Sequence, residues 1–107
     1  MVFQIYPTTQ TFDAKDPNDV DVFVVDFSAI LSEYNDTISS VSGVSVSPSG
    51  SLSAYDILSI GNNTQVSFYA SGGINGIIYE VDTTIVTNLM PSGRVINRTV
   101  LLPVLTR

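Results

Sequence analysis

An all-β, antiparallel two-layer sandwich is the fold class this sequence predicts, on three observations. Its apolar residues are mostly Val, Ile, Tyr and Phe, joined by many Thr, while Glu, Lys, Gln and Ala are scarce. Side chains branched at Cβ lose rotamer freedom in a helix and pack well on a pleated sheet. Apolar residues recur at every second position in several short stretches, the period of a strand with one buried face. Clusters of Gly, Pro, Asn and Ser separate those stretches, a rhythm of strand and turn rather than of strand and helix.

The elements follow in order. Val2–Tyr6 is a short apolar stretch ended by Pro7, read as a first edge strand or an arm lying on a neighbour. Thr8–Asn18 is polar, carries Asp13 and Asp16, and is interrupted by Pro17, so it reads as a linker. Val20–Phe27 is the first strong strand. Val20, Val22 and Val24 alternate with Asp21, Phe23 and Val25, so both faces are apolar in part and burial is expected. In Ser28–Tyr34, Phe27, Ile30, Leu31 and Tyr34 stand at helical spacing, which predicts a short helical or irregular bridge. Thr37–Ser47 carries Ile38, Val41, Val44 and Val46, with Gly43 where a bulge would shift the register. Pro48–Ser51 is a turn. Leu52–Ile60 is a poorly patterned strand, closed by a second turn at Gly61–Asn63. Thr64–Ala70 places Val66, Phe68 and Ala70 on one face, and Ser71–Gly76 is a tight loop. Ile77–Thr87 places Tyr79, Val81, Thr83 and Ile85 on one face. After a turn at Met90–Gly93, Arg94–Leu105 closes the domain with Ile96, Val100, Leu102 and Val104 inward and Arg98 outward. Pro103 has no N–H to give a ladder, so that end is expected at an edge or facing solvent. The expectation is about seven strands, with residues 1–18 as arm and acidic linker and residues 19–107 as the sandwich.

Composition removes whole classes of chemistry. The chain of 107 residues is 44% hydrophobic and 13% charged, which argues for one packed domain and against disorder. It contains no cysteine and no histidine. Disulfides, thiol nucleophiles, sulfur-ligated zinc, the usual general base near neutral pH and the commonest metal ligand are thereby lost. The net charge is −6, with Lys15, Arg94, Arg98 and Arg107 the only cations. Binding to nucleic acid or to an anionic membrane draws on clustered cations, so neither is expected as a partner. No apolar run approaches the roughly 20 residues of a membrane-spanning helix. No signal peptide is expected, because no basic flank precedes the short apolar start.

Several residues invite sharper readings. Asn75-Gly76-Ile77-Ile78-Tyr79-Glu80-Val81 resembles the tyrosine corner of immunoglobulin-like sandwiches, with Val81 where an antibody domain would carry a cysteine. Tyr79 is expected to bury its ring and return its hydroxyl to a backbone carbonyl. The competing reading makes Ser71–Gly76 a binding loop. Asp13, Asp16, Asp19 and Asp21 offer carboxylate oxygens to a hard cation. Their spacing lacks the alternation and glycine of an EF-hand loop, so a solvated acidic linker is preferred. Asp26 lies in an apolar run, and a buried carboxylate needs hydrogen bonds, expected from backbone amides or Arg94 rather than from a catalytic partner. Ser28 has no histidine to activate it, and a Ser-Lys dyad would rely on Lys15 in a polar linker. Gly72–Gly76 precedes a strand and lacks the lysine of a phosphate loop. The acceptor patterns at Asn35-Asp36-Thr37, Asn62-Asn63-Thr64 and Asn97-Arg98-Thr99 are read as accidental in a chain this rich in Asn, Ser and Thr. No catalytic, cofactor-binding or metal-ligating residue is assigned.

An ordered set of short pieces carries a family resemblance. Asp16-Pro17 leads to an extended stretch ending in Asp26-Phe27. Asp36-Thr37-Ile38, Ser71-Gly72-Gly73, Gly76-Ile77-Ile78-Tyr79, Thr83-Thr84 and Ser92-Gly93-Arg94 follow. In this order, over residues 16 to 104, the chain resembles the small immunoglobulin-like virion proteins of tailed bacteriophages known as fibre-tail adaptor proteins. It departs from them at Phe27, where Trp is frequent, and in the extension Val2–Gln10. The resemblance implies a non-enzymatic structural protein of the phage tail, made in the host cytoplasm. Its implied partners are other virion proteins, a tail adaptor or nozzle and a tail fibre, with several copies in a symmetric assembly. The arm Met1–Gln10 is the candidate for adding a strand to a neighbour. A capsid decoration or cement protein and a carbohydrate-binding module are the alternatives, the latter weakened by the absence of Trp.

Overall fold

Alternating side chains are sorted onto two facing sheets. The computed structural model describes residues 9–106. In chain order the elements are β1 (Thr9–Thr11), β2 (Val20–Asp26), helix α1 (Ser28–Leu31) with a 3-10 turn at Ser32–Tyr34, β3 (Ile38–Ser47), β4 (Leu52–Ile60), β5 (Gln65–Gly72), β6 (Ile78–Thr87) and β7 (Val95–Pro103). One sheet has the order β1-β7-β6-β3 and the other β2-β5-β4. Every pairing is antiparallel except that of β1, which runs parallel to β7. The β4–β5 and β6–β7 hairpins stay within a sheet, while the β2–β3, β3–β4 and β5–β6 connections cross between sheets. This is the Greek-key routing of an immunoglobulin-like sandwich.

The core is supplied by the residues that alternate most cleanly. Phe23 and Val25 of β2 with Val66, Phe68 and Ala70 of β5, in one sheet, face Tyr79, Val81 and Ile85 of β6 with Ile96, Val100 and Leu102 of β7 in the other, and all are buried. Burying each large apolar side chain contributes about 1.5–3 kcal/mol, and no disulfide supplements it. The bridge after β2 is helical as expected. Phe27 and Leu31, one helical turn apart, are both buried. Asn35 ends the bridge in the left-handed region at φ 50°, a conformation that Asn tolerates well. The bulge expected near Gly43 is present as a register shift between Val41 and Gly43.

Several features differ from the sequence reading or explain it. Within the expected linker, Thr9–Thr11 forms β1 on the edge of β7, and Lys15 is buried beside Val104. The Lys15 ammonium donates to the carbonyls of Gly72 and Asp16, both at 2.8 Å, which is what makes its burial tolerable. Only one face of β2 is buried: Phe23 and Val25 point inward, whereas Val20 and Val22 are exposed and Val24 half-buried. The poor pattern of β4 comes from an irregularity between Tyr55 and Leu58, with Asp56 at φ 52°. Arg98 shares the inward side of β7 with Ile96 and Val100, opposite Thr83 in register. It is half-buried rather than wholly outward, and its guanidinium reaches an exposed bond to the Asn97 carbonyl, as a long cationic stem allows. Pro103 pairs with Ile78, and its carbonyl accepts from the Lys15 amide at 2.9 Å. A residue's N–H and C=O point to the same side of a strand, so the missing N–H falls where β1 has already ended. The stretch Val2–Tyr6 lies outside the described residues.

Candidate interaction surfaces

Three of the carboxylates singled out in the sequence, Asp16, Asp21 and Asp26, are engaged locally. Asp16 Oδ1 accepts from the Asn18 amide at 2.8 Å, and Asp21 Oδ1 from the Val22 amide at 2.8 Å. Among the described residues no group of three or more carboxylates converges to hold a metal ion. Asp26 is exposed rather than buried, and its Oδ1 accepts from the Ser28 amide at 2.8 Å. Partial desolvation opposes its ionisation, but the Ser28 amide and hydroxyl and the Gln65 side chain outweigh it and hold the carboxyl below its usual range. Arg94, the partner considered for Asp26, belongs to another carboxylate. The Lys15 ammonium bonds to backbone carbonyls, and no bond joins it to Ser28. Gly72 ends β5, and Gly73 donates its amide to the Ser51 carbonyl at 2.8 Å.

The buried polar residues brace the fold. Tyr79 is fully buried. Its hydroxyl accepts the Ile74 amide at 2.9 Å and lies 2.6 Å from the Ser51 hydroxyl. The corner is therefore present, with an amide as the backbone partner where a carbonyl was expected. Asp36 is the buried carboxylate of the chain's described part. Arg94 contacts its Oδ2 at 3.3 Å, reaches the Ile30 carbonyl at 3.3 Å and Glu33 at 3.9 Å, and lies 4.9 Å from the Tyr34 ring centre. Burial opposes ionisation of Asp36. The Thr87 hydroxyl, the Thr37 amide and the Arg94 guanidinium more than offset this and hold the carboxyl below its usual range. This cluster ties the helical bridge to the start of β7.

The two outer faces differ in kind. On the β1-β7-β6-β3 sheet, Asn97 donates to Thr84 at 2.7 Å and Thr99 to Asp82, beside the exposed Glu80. On the β2-β5-β4 sheet, register places Val22, Tyr69 and Tyr55 in one line across the strands, and Val24, Ser67 and Leu58 in the next. Val22, Tyr55, Leu58 and Tyr69 are exposed, and the two tyrosine rings stack with centres 6.0 Å apart. Beside this face, a groove of about 460 Å³ runs between β2 and the segment Phe12–Ala14. The aromatic set Phe12, Phe23 and Phe68 backs it, with ring centres 5.0 Å apart for Phe12 and Phe23 and 5.9 Å for Phe23 and Phe68. Sequence reasoning missed this outer face because it took the second apolar side of β2 for a second buried side. The signal was present in Tyr55 and Tyr69, which stand at positions that alternation turns outward.

Comparison with known proteins gives a family match over most of the chain. The family model described as podophage GP4 fiber-tail adaptor protein gp77 matches residues 15–103. No curated protein and no solved structure matches the chain.

Proposed function

Because the chain belongs to the podophage GP4 fibre-tail adaptor family, we propose that it is a non-catalytic virion subunit joining tail fibres to the tail, in several copies around a symmetric tail. One observation carries this reading beyond the family: an immunoglobulin-like sandwich that turns Val22, Tyr55, Leu58 and Tyr69 of one sheet to solvent while its buried Tyr79 and Asp36 brace the fold. Such a molecule offers surfaces to other proteins. Two sheets locked by one core make it a rigid spacer, and the exposed edges of β2, β3 and β4 add routes for strand pairing.

Electron microscopy of particles assembled without this chain tests the proposal. Tails without fibres are expected, with fibres restored when the purified chain is added back. A normal complement of fibres on particles lacking the chain would refute it.

A further inference from the structure

We propose that the outer face of the β2-β5-β4 sheet docks a different virion protein, one whose contact patch is apolar at its centre and ringed by Lys or Arg. The inference rests on the adaptor reading and names the surface through which one partner is held.

Exposure and arrangement carry the first half of the argument. Val22 is 47% exposed, Tyr69 43%, Tyr55 37% and Leu58 61%, and register makes them neighbours across three strands rather than scattered single residues. A contiguous apolar patch is the uncommon feature of a protein surface, whereas isolated apolar residues are ordinary. The opposite sheet carries Thr, Asn and Asp bonded to one another across the middle of its outer side, with its exposed Ile78 and Val95 at opposite ends, so the contiguous apolar patch belongs to one face. Stacked tyrosines suit the centre of an interface, because they present large, rigid area at little entropic cost and keep a hydroxyl for hydrogen bonding.

Charge decides the occupant. Two exposed carboxylates adjoin the patch: Asp26, in the outward row next to Val24, Ser67 and Leu58, and Asp56 at the β4 irregularity. The described cations lie elsewhere. Lys15 is buried against the Gly72 carbonyl, Arg94 is bound to Asp36 and Glu33, and Arg98 is on the inward side of β7. A second copy laid face to face would set carboxylates against carboxylates with no cation between them. A basic rim on a different chain complements the patch, steers its approach and excludes self-pairing.

The test measures affinity of the full chain for the fibre protein and for the fibreless tail of the same phage, each at low and at raised salt. Expected are wild-type binding to both, with one of the two weakened by salt. For that partner, Tyr69→Ala and Leu58→Ser should each lower affinity about ten-fold, and Asp56→Asn about two- to five-fold with a shallower salt dependence. Thermal melts of each variant separate lost contact from lost folding, and Asn97→Ala on the opposite face should bind as wild type. If wild type binds both partners and the Tyr69 and Leu58 variants match it, the face is wrong and the adaptor reading stands. If these variants change only self-association, a second copy is the occupant and the proposal is overturned. If wild type binds neither partner, the adaptor reading falls and this inference with it.

Discussion

At the residue scale, two buried polar groups show how a chain without covalent staples holds its corners. The Tyr79 hydroxyl accepts the Ile74 amide and meets the Ser51 hydroxyl, so it links the β3–β4 turn, the loop before β6 and the core through one atom. Tyr79→Phe keeps the ring but strands a part-buried amide, and is expected to cost about 2 kcal/mol. A fall of about 10 °C in melting temperature follows for a domain of this size, with the fold retained. An unchanged melting temperature would show that water replaces the hydroxyl without loss. Asp36 makes the case for charge. Its folded carboxyl titrates below the ordinary range, so the folded state favours the ionised form. The resulting stability is fully present above the unfolded carboxyl's pKa and is lost as pH falls through the lower folded value. Asp36→Asn should be destabilised by about 2 kcal/mol at neutral pH. Its stability should also change less than that of wild type as the pH is lowered through this window. Parallel denaturation curves for both proteins across the window would remove Asp36 as the source.

At the element scale, the short pieces that carry the family resemblance acquire physical reasons. Ser92-Gly93-Arg94 closes the β6–β7 hairpin. Gly93 has φ 84°, and a Cβ there would lie 2.3 Å from the Thr87 carbonyl oxygen, so no other residue fits without moving backbone. Gly72, of Ser71-Gly72-Gly73, has φ 78° and would bring a Cβ within 2.6 Å of the Ser51 carbonyl oxygen. Gly93→Ala is expected to cost more than about 2 kcal/mol. Gly43→Ala, with nothing within 4 Å, should change stability by less than about 0.5 kcal/mol. Chemical denaturation of the pair checks the contrast, and equal effects would mean that the hairpin yields. The elements were legible to different degrees. Strands β5 and β6 alternate over their buried apolar residues, so period alone gave their inward faces; in β7 it gave Ile96, Val100 and Leu102 but not Arg98, whose charge suggested the outward side. Period failed in strand β4, since the irregularity at Asp56 shifts the alternation midway. The polarity of the segment before β2 concealed β1 and the buried Lys15, because a lysine satisfied by carbonyls looks, in sequence, like any solvated lysine.

At the scale of the whole molecule, the question is which surfaces remain for partners. The expected arm reached Gln10, but Thr9–Thr11 pairs with β7, so a deletion that spares the sandwich ends at Thr8. Removing Met1–Thr8 is expected to leave the melting temperature within a few degrees of wild type while reducing incorporation into particles. Full incorporation of the shortened chain would rule out the arm as an assembly element.

What the sequence determined by itself was the class of fold and the class of chemistry. Alternation and turn residues act locally, so they specify strands and their buried sides without knowledge of partners. The lack of His and Cys is a property of composition that no folding changes. Pairing was decided only in three dimensions. That Arg94 serves Asp36 and not Asp26, and that Val22, Tyr69 and Tyr55 form one line, depends on contacts between residues 14 to 58 positions apart. Such contacts are set by how two sheets register and close over a shared core, and local sequence carries no record of them.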